Sequence, residues 1–591
     1  MEHVMKNTKV VVIDSGIANY SGAYLHITES YTVVREKEEI KILPCESTDY
    51  IGHGSAVSHI ICNVAPHVDI ISFRICNDIA DIDEDILLAT LYYIEQEVDA
   101  DIINISAGLT YSYKCNELHE VCTKISERGI LIVSAFDNNG AISYPAMFDE
   151  VIGVDTVRFY DNKNEIIITK NGIVDVSVPD RYYRTMYSEK STILKGTSFA
   201  AAYITGLISQ KKRNIRLGKV GKREMLDYIK TKEVICCQSI ANAKPKFAIR
   251  KAIVFPVNKE THALLRFSDL LTFDITGVYD EKLAGRVGST LFDYEILSYE
   301  SIDWNDDFDT VILSCTQQLS RLTKRHYSEE ILKIASEHHK NVYSFEDIGR
   351  LSEEYYYPEL SSKLVPYSNS YKLHQCVIPV VGVWGTSSKQ GKYTLQLSLI
   401  RRMKKLGYNT GHISTEPSGY LFDADFVYHY GYNAGFNIKP WECSAMLNQK
   451  IWEVQNNRKD ILITGGQSGT IPYSHTCVEP FFEYQYAFLS SVRPDYNILC
   501  INPHDDCDYV NKTREFISSM TEEGVQAMVL YPIQAIKTTT GIGYDMKSLT
   551  LEEQKRIRQF YSDKFNIPVY LLSVDEDIDL LCENIIAYFS E

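Results

Sequence analysis

A serine stands at the turn of the stretch Gly-Thr-Ser-Phe-Ala-Ala-Ala, residues 196–202, and could act as a nucleophile. The turn exposes the hydroxyl of Ser198, and the alanines let the following helix lie close to a sheet. The N-terminus of that helix favours negative charge that develops nearby. Because serine is also a common N-cap, an ordinary helix start is the alternative interpretation. Catalysis therefore requires a base, an orienting acid and an oxyanion donor elsewhere in the chain.

Two upstream segments supply an acid and a base. Residues 9–13 form an apolar run typical of a strand buried on both faces, and Asp14 follows at its carboxyl end, where parallel sheets place reactive groups. His53 lies between two glycines, before a stretch of small residues that predicts a helix. A lone histidine near a helix start is commonly a satisfied polar residue. With Asp14 and Ser198 it predicts a nucleophile, base and acid set.

The elements between these residues alternate between strands and helices. Apolar runs predict strands and amphipathic stretches predict helices, in the order strand 68–73, helix 84–97, strand 102–105, helix 116–128, strand 130–133. The second of these strands is followed by Ser106, Ala107 and Gly108, and the third by a polar turn that contains Asn138. The alternation predicts an α/β domain with a parallel sheet.

The first 210 residues or so resemble the subtilisin family of serine peptidases, the subtilases. Val-Ile-Asp-Ser-Gly around Asp14, Gly-His-Gly-Ser-Ala-Val around His53 and Gly-Thr-Ser-Phe-Ala-Ala around Ser198 match its three catalytic motifs. Their chain order, Asp, His, Ser, is that of the family. The resemblance implies that the serine attacks a peptide carbonyl, the histidine transfers the proton and the aspartate orients the histidine. Proteolysis by this chemistry needs no cofactor.

The same resemblance implies roles in substrate binding. Ser106, Ala107 and Gly108 match the strand whose backbone pairs with an extended peptide. Asn138 matches the asparagine that binds the oxyanion together with the backbone N–H of the nucleophile. Tyr-Pro-Ala at 144–146 matches a signature near the specificity pocket, where the proline is commonly cis.

Several positions depart from the family pattern. Ala201 and Ala202 replace the usual Ser-Pro pair, and Ser55 and Ala56 stand where Thr and His are common, which we expect to change packing more than chemistry. Thirteen residues precede Asp14, so we expect no N-terminal prodomain of the kind that secreted subtilases carry. That expectation suits a cytosolic processing enzyme.

Length and composition limit the other function classes. A chain of 591 residues is long enough for three or four domains. Its net charge of −18 argues against a nucleic-acid partner, and the absence of an apolar run of ~18 residues argues against a membrane span. None of the 14 cysteines shows the paired spacing of a metal site, and many lie in apolar runs. We therefore predict no metal site and a cytoplasmic location.

The rest of the chain repeats the strand–helix alternation twice. We predict a subtilisin-like parallel sheet domain at 1–235, a Rossmann-like α/β domain at 248–350 and a P-loop-like domain at 376–591. Residues 217–232 predict one more amphipathic helix, and the Tyr-rich stretch 353–371 predicts a linker. The glycines of the middle domain do not make a dinucleotide motif, so we assign it packing and recognition.

The third domain begins with an apolar strand and the loop Gly-Thr-Ser-Ser-Lys-Gln-Gly-Lys-Tyr-Thr, residues 385–394. Gly385, Gly391 and Lys392 stand where a phosphate-binding loop needs them. The spacing resembles that of dethiobiotin-synthetase-like ATPases, which implies ATP and Mg²⁺. Tyr393 replaces the usual magnesium hydroxyl and leaves Thr394 as a substitute. A degenerate structural loop is the alternative.

No carboxylate that could position Mg²⁺ follows the strand predicted at 460–464, so the sequence does not predict ATP hydrolysis. The chain from about residue 252 onward resembles, more weakly, a P-loop family with some members in peptide-maturation systems. We therefore predict a serine endopeptidase that cleaves a precursor peptide, with a C-terminal module for substrate recognition or nucleotide binding and a peptide-modifying enzyme as a further partner. One alternative is an ATP-dependent ligase or transferase that uses the peptidase domain as a peptide clamp. Another is a general housekeeping protease.

Overall fold

The described part of the chain forms two compact units. The computed structural model describes residues 7–590 except 19–24, 77–81, 107, 159, 161, 188–189, 215–219, 237–243, 350–351, 367–371, 431–433, 435, 474–481 and 538–543. Unit 1 comprises Met1–Ser239 and Pro366–Gln375. Unit 2 comprises Ile240–Val365 and Cys376–Glu591. The three domain boundaries predicted from the sequence stay a prediction.

Unit 1 contains the catalytic motifs. Its strands are β1 (Thr8–Asp14), β2 (Ile27–Glu36), β3 (Glu39–Pro44), β4 (Val68–Arg74), β5 (Ile102–Ile105), β6 (Leu131–Ala135), β7 (Val151–Val157), β8 (Ile167–Lys170), β9 (Val176–Pro179), β10 (Tyr183–Tyr187), β11 (Lys190–Leu194) and β12 (Lys232–Ile235). Its helices are α1 (His53–Val64), α2 (Glu84–Glu97), α3 (Cys115–Glu127), α4 (Thr197–Asn214) and α5 (Lys222–Ile229).

Ten strands of unit 1 form one sheet in the order β12-β8-β9-β7-β6-β5-β1-β4-β2-β3. The pairs β2–β3 and β8–β9 are antiparallel and the other neighbours are parallel. In β1, Val10 and Val12 point into the cluster formed with α1 and α4, and Val11 and Ile13 point into the cluster formed with α2 and α3. Both faces of the sheet are therefore covered, which explains the continuous apolar run.

Helix α4 lies directly against α1. Ala200, Ala201 and Ala202 are fully buried, and a Cβ at Gly206 would stand 2.7 Å from the Cβ of Val64. The small residues after the nucleophile motif thus allow α4 to pack closely against α1, a helix contact that the sequence did not predict.

Unit 2 contains two further large sheets. Its strands are β13 (Lys251–Phe255), β14 (Asp274–Asp280), β15 (Thr290–Leu291), β16 (Tyr294–Ser298), β17 (Thr310–Leu313), β18 (Asn341–Ser344), β19 (Tyr355–Tyr356), β20 (Leu360–Ser361), β21 (Val380–Gly385), β22 (Thr410–Ser414), β23 (Phe426–Val427), β24 (Phe436–Asn437), β25 (Ile461–Gly465), β26 (Tyr496–Ile501), β27 (Val525–Leu530), β28 (Ile533–Lys537), β29 (Tyr544–Ser548) and β30 (Val569–Leu571). Its helices are α6 (Lys259–Arg266), α7 (Gln317–Thr323), α8 (Tyr327–Glu337), α9 (Lys392–Lys405), α10 (Pro440–Asn456), α11 (Phe482–Val492), α12 (Cys507–Thr521), α13 (Leu551–Phe565) and α14 (Asp575–Ser590).

The first sheet of unit 2 has the order β15-β16-β14-β13-β17-β18-β19, and the second has the order β23-β22-β25-β21-β26-β27-β30. The second sheet is parallel throughout, with the P-loop strand β21 at its centre. One hydrophobic cluster contains residues of both sheets, and the hydroxyl of Tyr343 in β18 donates to the carbonyl oxygen of Pro417 at 2.8 Å. The mixed α/β fold class with mostly parallel sheets is confirmed.

Two sequence predictions differ from the structure. The helix predicted at 217–232 is shorter, because α5 ends at Ile229 and the chain then forms the edge strand β12; residues 215–219 lie outside the described part. The stretch 353–371, predicted as a linker, begins with β19, whose Tyr355 and Tyr356 are buried beside β18. Tyrosine buries its ring while its hydroxyl keeps a polar contact, so a Tyr-rich stretch that appears polar in sequence can form part of a core.

Candidate active site and phosphate loop

The acid and the base of the predicted triad are in direct contact. Asp14 ends β1 with its side chain 2% exposed, and its Oδ1 lies 2.8 Å from Nδ1 of His53, the first residue of α1. The same oxygen accepts the N–H of Ser15 at 2.7 Å. With its Nδ1–H directed to Asp14, the imidazole keeps Nε2 as the nitrogen that can accept a proton.

The surroundings of His53 change its acidity. Burial lowers the pKa of the imidazole, but the charge and hydrogen bond of Asp14, with a further contribution from Asp49, outweigh burial, so the pKa is raised. The site therefore stabilises the imidazolium that general-base catalysis creates.

Asp49 organises the loop before His53, and the sequence analysis did not identify it. Its Oδ1 accepts the hydroxyl of Ser15 at 2.9 Å and the N–H of Gly52 at 2.8 Å. Its Oδ2 accepts the N–H of Ser55 at 2.9 Å and the hydroxyl of Ser55 at 2.6 Å. One carboxylate thus connects the end of β1 to the start of α1. A lone aspartate in a polar loop carries no sequence signal for such a role.

Close packing at this loop requires glycine. A Cβ at Gly54 would lie 2.1 Å from the carbonyl oxygen of Gly16 and 3.1 Å from the Cβ of Asp14. Any larger residue at position 54 would therefore push the histidine helix away from the aspartate.

Ser198 lies in the first turn of α4, close to the histidine. Its hydroxyl donates to the carbonyl oxygen of Ser106 at 2.8 Å, and the ring of the next residue, Phe199, lies 5.3 Å from the imidazole of His53 between centroids. In the buried network beneath, Asn104 donates to the hydroxyl of Ser106 and accepts the hydroxyl of Thr205, each at 2.8 Å. These bonds tie the nucleophile helix to β5.

The amide of Asn138 has a defined orientation. Its Oδ1 accepts the backbone N–H of Thr197 at 3.0 Å and the hydroxyl of Thr197 at 3.1 Å. Because a backbone N–H can only donate, the oxygen must face Thr197, which leaves the NH₂ group to donate elsewhere. Gly196, with φ +140°, brings its backbone close enough that a Cβ would stand 3.1 Å from this oxygen. The side chain is therefore arranged as a hydrogen-bond donor beside Ser198.

The predicted substrate strand lies beside the Tyr-Pro-Ala segment. Ser106 is buried, Ala107 lies outside the described residues, and a Cβ at Gly108 would stand 3.1 Å from the Cβ of Ser143. Leu109 and Tyr144 exchange backbone hydrogen bonds of 2.9 and 2.7 Å, and the peptide bond from Tyr144 to the following proline is cis. The fold thus brings these two sequence motifs together.

In unit 2 the structure forms a loop between β21 and α9. Gly391 adopts φ 73° at the N-cap of α9, and a Cβ there would stand 2.4 Å from the side chain of Leu572. The Nζ of Lys392 donates to the carbonyl oxygens of Ser387 at 2.7 Å and Ser468 at 2.9 Å. Burial lowers the pKa of Lys392 to about 8.

A cavity of about 780 Å³ opens beside this loop, within unit 2. Its lining contains more cationic than anionic side chains, the cations being Lys259, Arg266, Arg286, Lys389 and Lys392 and the carboxylates Glu260 and Glu416. In a chain with net charge −18, this local excess of positive charge favours an anionic ligand. No sequence motif marks Lys259, Arg266 and Arg286, which lie far from the loop in the chain.

The loop position that usually holds a magnesium hydroxyl carries an aromatic side chain. Tyr393, at the usual magnesium position, packs its ring against His412 and approaches Ser418 through its hydroxyl at 3.4 Å. Thr394 and Glu416 both line the cavity, and burial raises the pKa of Glu416. Among the described residues, no group of three His, Cys, Asp or Glu side chains could hold a metal ion.

The fold and the Asp–His–Ser arrangement define unit 1 as a subtilisin-like serine peptidase domain. Residues 5–232 match the Subtilase family, and residues 370–578 match the family described as "Domain of unknown function (DUF1611_C) P-loop domain". The chain therefore carries a subtilase-type serine peptidase domain and a DUF1611-type P-loop domain, which confirms the family prediction for both halves.

Known proteins resemble separate parts of the chain. An intracellular serine protease of Paenibacillus polymyxa is 29% identical over 178 residues, which cover 27% of this chain and 53% of that protein, so the chain spans about half the length of this relative. The crystal structure of a lanthipeptide protease covers 37% of this chain and 78% of its own, at 17% identity and TM-score 0.32. A DUF1611 family protein from Anabaena variabilis covers 57% of this chain and all of its own, at 13% identity and TM-score 0.41.

The described residues contain no helix that is both long and apolar enough to cross a membrane.

Proposed function

We propose that the chain is a serine endopeptidase with Ser198 as its nucleophile. The observation that carries the proposal is the 2.8 Å contact between buried Asp14 and His53, directly beside the helix that bears Ser198. A buried carboxylate held against an imidazole stabilises the positive charge that the histidine acquires when it takes up a proton.

Each residue then has a defined task. His53 removes the proton of Ser198 as the hydroxyl attacks the peptide carbonyl, and later gives that proton to the leaving amine. Before attack, the hydroxyl must turn from the Ser106 carbonyl, to which it now donates, toward Nε2 of the imidazole. The NH₂ group of Asn138 and the backbone N–H of Ser198 bind the oxyanion. The backbone that follows β5 pairs with the substrate as an added strand.

We propose a precursor peptide as the substrate, in a peptide-maturation role inside the cell. Fusion to a second large unit supports this substrate class, because a dedicated recognition module suits one defined peptide better than general protein turnover. Cys62, Cys122 and Cys582 are buried free thiols, which suits the cytoplasm. The partners would be the precursor peptide and an enzyme that modifies it.

A fluorophosphonate probe tests the nucleophile. It should label the full chain at Ser198, and Ser198→Ala should abolish labelling. Ser209→Ala is the matched control, because this serine lies on the same helix and its hydroxyl bonds to the carbonyl oxygen of Thr205. Labelling that survives in Ser198→Ala, or that is lost in Ser209→Ala, would contradict the assignment.

We further propose that the loop at 385–394 binds a nucleotide phosphate. Buried Lys392, the N-terminus of α9 and the surplus of cations around the cavity support this proposal. Gly391 and Lys392, which line the cavity, would hold the phosphates of ATP, and Thr394 would be the magnesium ligand. Gly385, which the sequence predicted as a further phosphate contact, is buried at the end of β21. When bound, ATP would supply a phosphoryl group or the energy for a ligation or transfer step, the alternative function.

Calorimetry with ATP and with GTP, each with Mg²⁺, tests this second site. Lys392→Ala should weaken binding at least tenfold, whereas Lys404→Ala, near the other end of the same helix, should leave binding unchanged. Neither change should alter labelling of Ser198. If the wild-type chain binds neither nucleotide at millimolar concentration, the loop has a structural role.

A further inference from the structure

Four residues that lie between two stretches of unit 2 in the chain are built into the peptidase unit. Lys372–Gln375 belong to unit 1, whereas Ile240–Val365 and Cys376–Glu591 belong to unit 2. Leu373 pairs in parallel with Ala141, and its carbonyl oxygen accepts the N–H of Ile142 at 2.9 Å. The segment therefore adds a single parallel bridge to the chain just before the Tyr-Pro-Ala signature.

A buried ion pair anchors this segment. The Nζ of Lys372 lies 3.0 Å from Oδ2 of Asp155, at the carboxyl half of β7, and 5.5 Å from the ring centre of Phe136. Both charged side chains are largely buried, at 8% and 18% exposure. Removing one partner of such a pair leaves the other charge buried without compensation, so the pair defines the register of the segment.

The segment reaches the substrate strand. The N–H groups of Ile142 and Tyr144 are two residues apart, the spacing at which an extended chain points both groups to the same side. The first donates to Leu373 and the second to Leu109. Leu373 and Leu109 therefore lie on the same side of the segment that runs from Ile142 to Tyr144.

A side-chain hydrogen bond also connects the segment to the chain that follows Gly108. Thr110, two residues after Gly108, donates its hydroxyl to Oε1 of Gln375 at 2.6 Å. Exposure alternates along the segment as in a strand with one covered face, because Lys372 and His374 are each 6% exposed whereas Leu373 is 39% exposed. Leu373 and Gln375 therefore share the uncovered side.

We propose that Lys372–Gln375 form part of the substrate-binding surface of the peptidase, and that Leu373 is a specificity-determining residue that contacts an apolar side chain of the peptide. The proposal rests on the proposed endopeptidase function and adds a residue to its substrate site. An exposed leucine, held in register by a buried ion pair beside the substrate strand, gains free energy when a substrate side chain covers it. Substrate selection would then depend on a segment outside the 1–235 range predicted for the peptidase domain.

Cleavage of a fluorogenic peptide library tests this role in the full chain. The library varies each position on the amino side of the cleaved bond through aliphatic, aromatic, basic and acidic side chains. Leu373→Asp should lower kcat/KM about tenfold for substrates with an aliphatic or aromatic side chain at one position, mainly through KM, and should improve basic substrates at that position. The rate of fluorophosphonate labelling at Ser198 should stay within about twofold. Leu580→Asp, an exposed leucine of α14, is the matched control.

An unchanged selectivity profile in Leu373→Asp, with normal labelling, would overturn the proposal. If the aspartate variant fails to fold, the milder Leu373→Ala must show the same loss for apolar substrates, and an unchanged profile there overturns the proposal equally. If wild type neither labels nor cleaves, the endopeptidase function itself fails, which is a different result from an unchanged profile.

Discussion

Each of the two candidate sites buries a side chain that can carry positive charge, and the pKa of that side chain shifts in opposite directions in the two sites. His53 in unit 1 lies 2.8 Å from the carboxylate of Asp14, and its pKa is raised despite burial. Lys392 in unit 2 donates to two carbonyl oxygens, no described carboxylate forms an ion pair with it, and burial lowers its pKa to about 8. The peptidase site thus contains an ion-paired counter-charge, whereas Glu416, the carboxylate whose charge acts on Lys392, forms no ion pair with it. An anionic ligand, as proposed above, would supply the missing pair.

Removing the counter-charge of the first site should have the largest effect. Asp14→Asn keeps the shape but removes the charge and favours the wrong tautomer of His53, so kcat should fall by about 10⁴, the loss measured for the equivalent change in a trypsin-type triad. Peptide cleavage with purified variant and wild type measures it. The control is circular dichroism, which should show the same fold. A loss of less than tenfold would mean that the Asp14–His53 contact does not serve catalysis.

Removing the oxyanion donor should have the next largest effect. In Asn138→Ala, the NH₂ group that faces away from Thr197 is lost, so kcat should fall by about 10²–10³ with KM nearly unchanged, a magnitude known from subtilisin itself. Steady-state kinetics separates the two constants. A change confined to KM would instead assign Asn138 to ground-state binding.

The lowered pKa of Lys392 gives a prediction about pH. Because an anionic phosphate stabilises the protonated form, ligand binding should raise the pKa of Lys392 from about 8. Below pH 8 the ammonium is already charged, and above pH 8 binding must take up a proton. Affinity for ATP should therefore fall up to about tenfold per pH unit above pH 8.

Calorimetry at pH 8.5 in buffers of different ionisation enthalpy measures that proton. Lys392→Met should bind more weakly and take up no proton. Equal affinity at pH 7 and pH 9.5, with no proton uptake in wild type, would show that Lys392 does not contact the ligand.

The smallest effect should come from Asp49. Asp49→Asn keeps the hydrogen bonds to the carboxyl oxygens in part but removes a charge that raises the pKa of His53. The acid limb of kcat/KM, where His53 must lose its proton to act as a base, should move to lower pH by a few tenths of a unit. Ser55→Ala, which removes one donor to Asp49 and no charge, should leave the limb in place. A limb that does not move in Asp49→Asn would confine this residue to holding the loop.

The sequence predicted the peptidase site better than the second cavity, and the reason is local. Asp14, His53 and Ser198 each stand in a short motif whose glycines and apolar neighbours define a strand end or a helix start. Lys392 could be found in the same way, because a glycine loop between a strand and a helix is a local pattern. These residues need no knowledge of distant contacts.

Other features depend on contacts between distant parts of the chain. Arg266 and Arg286 line the same cavity as Lys392 because the two sheets of unit 2 pack into one hydrophobic cluster. No local sequence pattern predicts this packing. Leu373 appears in sequence as the end of a linker, since its role comes from pairing with a segment more than two hundred residues earlier. Long-range pairing of this kind is what patterns of hydrophobicity cannot predict.

The pH dependence of fluorophosphonate labelling tests the central claim most directly, because it needs no knowledge of the natural substrate. For wild type, the labelling rate at Ser198 should rise with pH through a single limb whose midpoint lies above the ordinary histidine value of about 6.5, since deprotonated His53 is the base. In Asp14→Asn the residual rate should be far lower, with its limb at lower pH. A wild-type rate that is the same from pH 5 to pH 9, or equal rates in the two proteins, would contradict a serine activated by the Asp14–His53 pair.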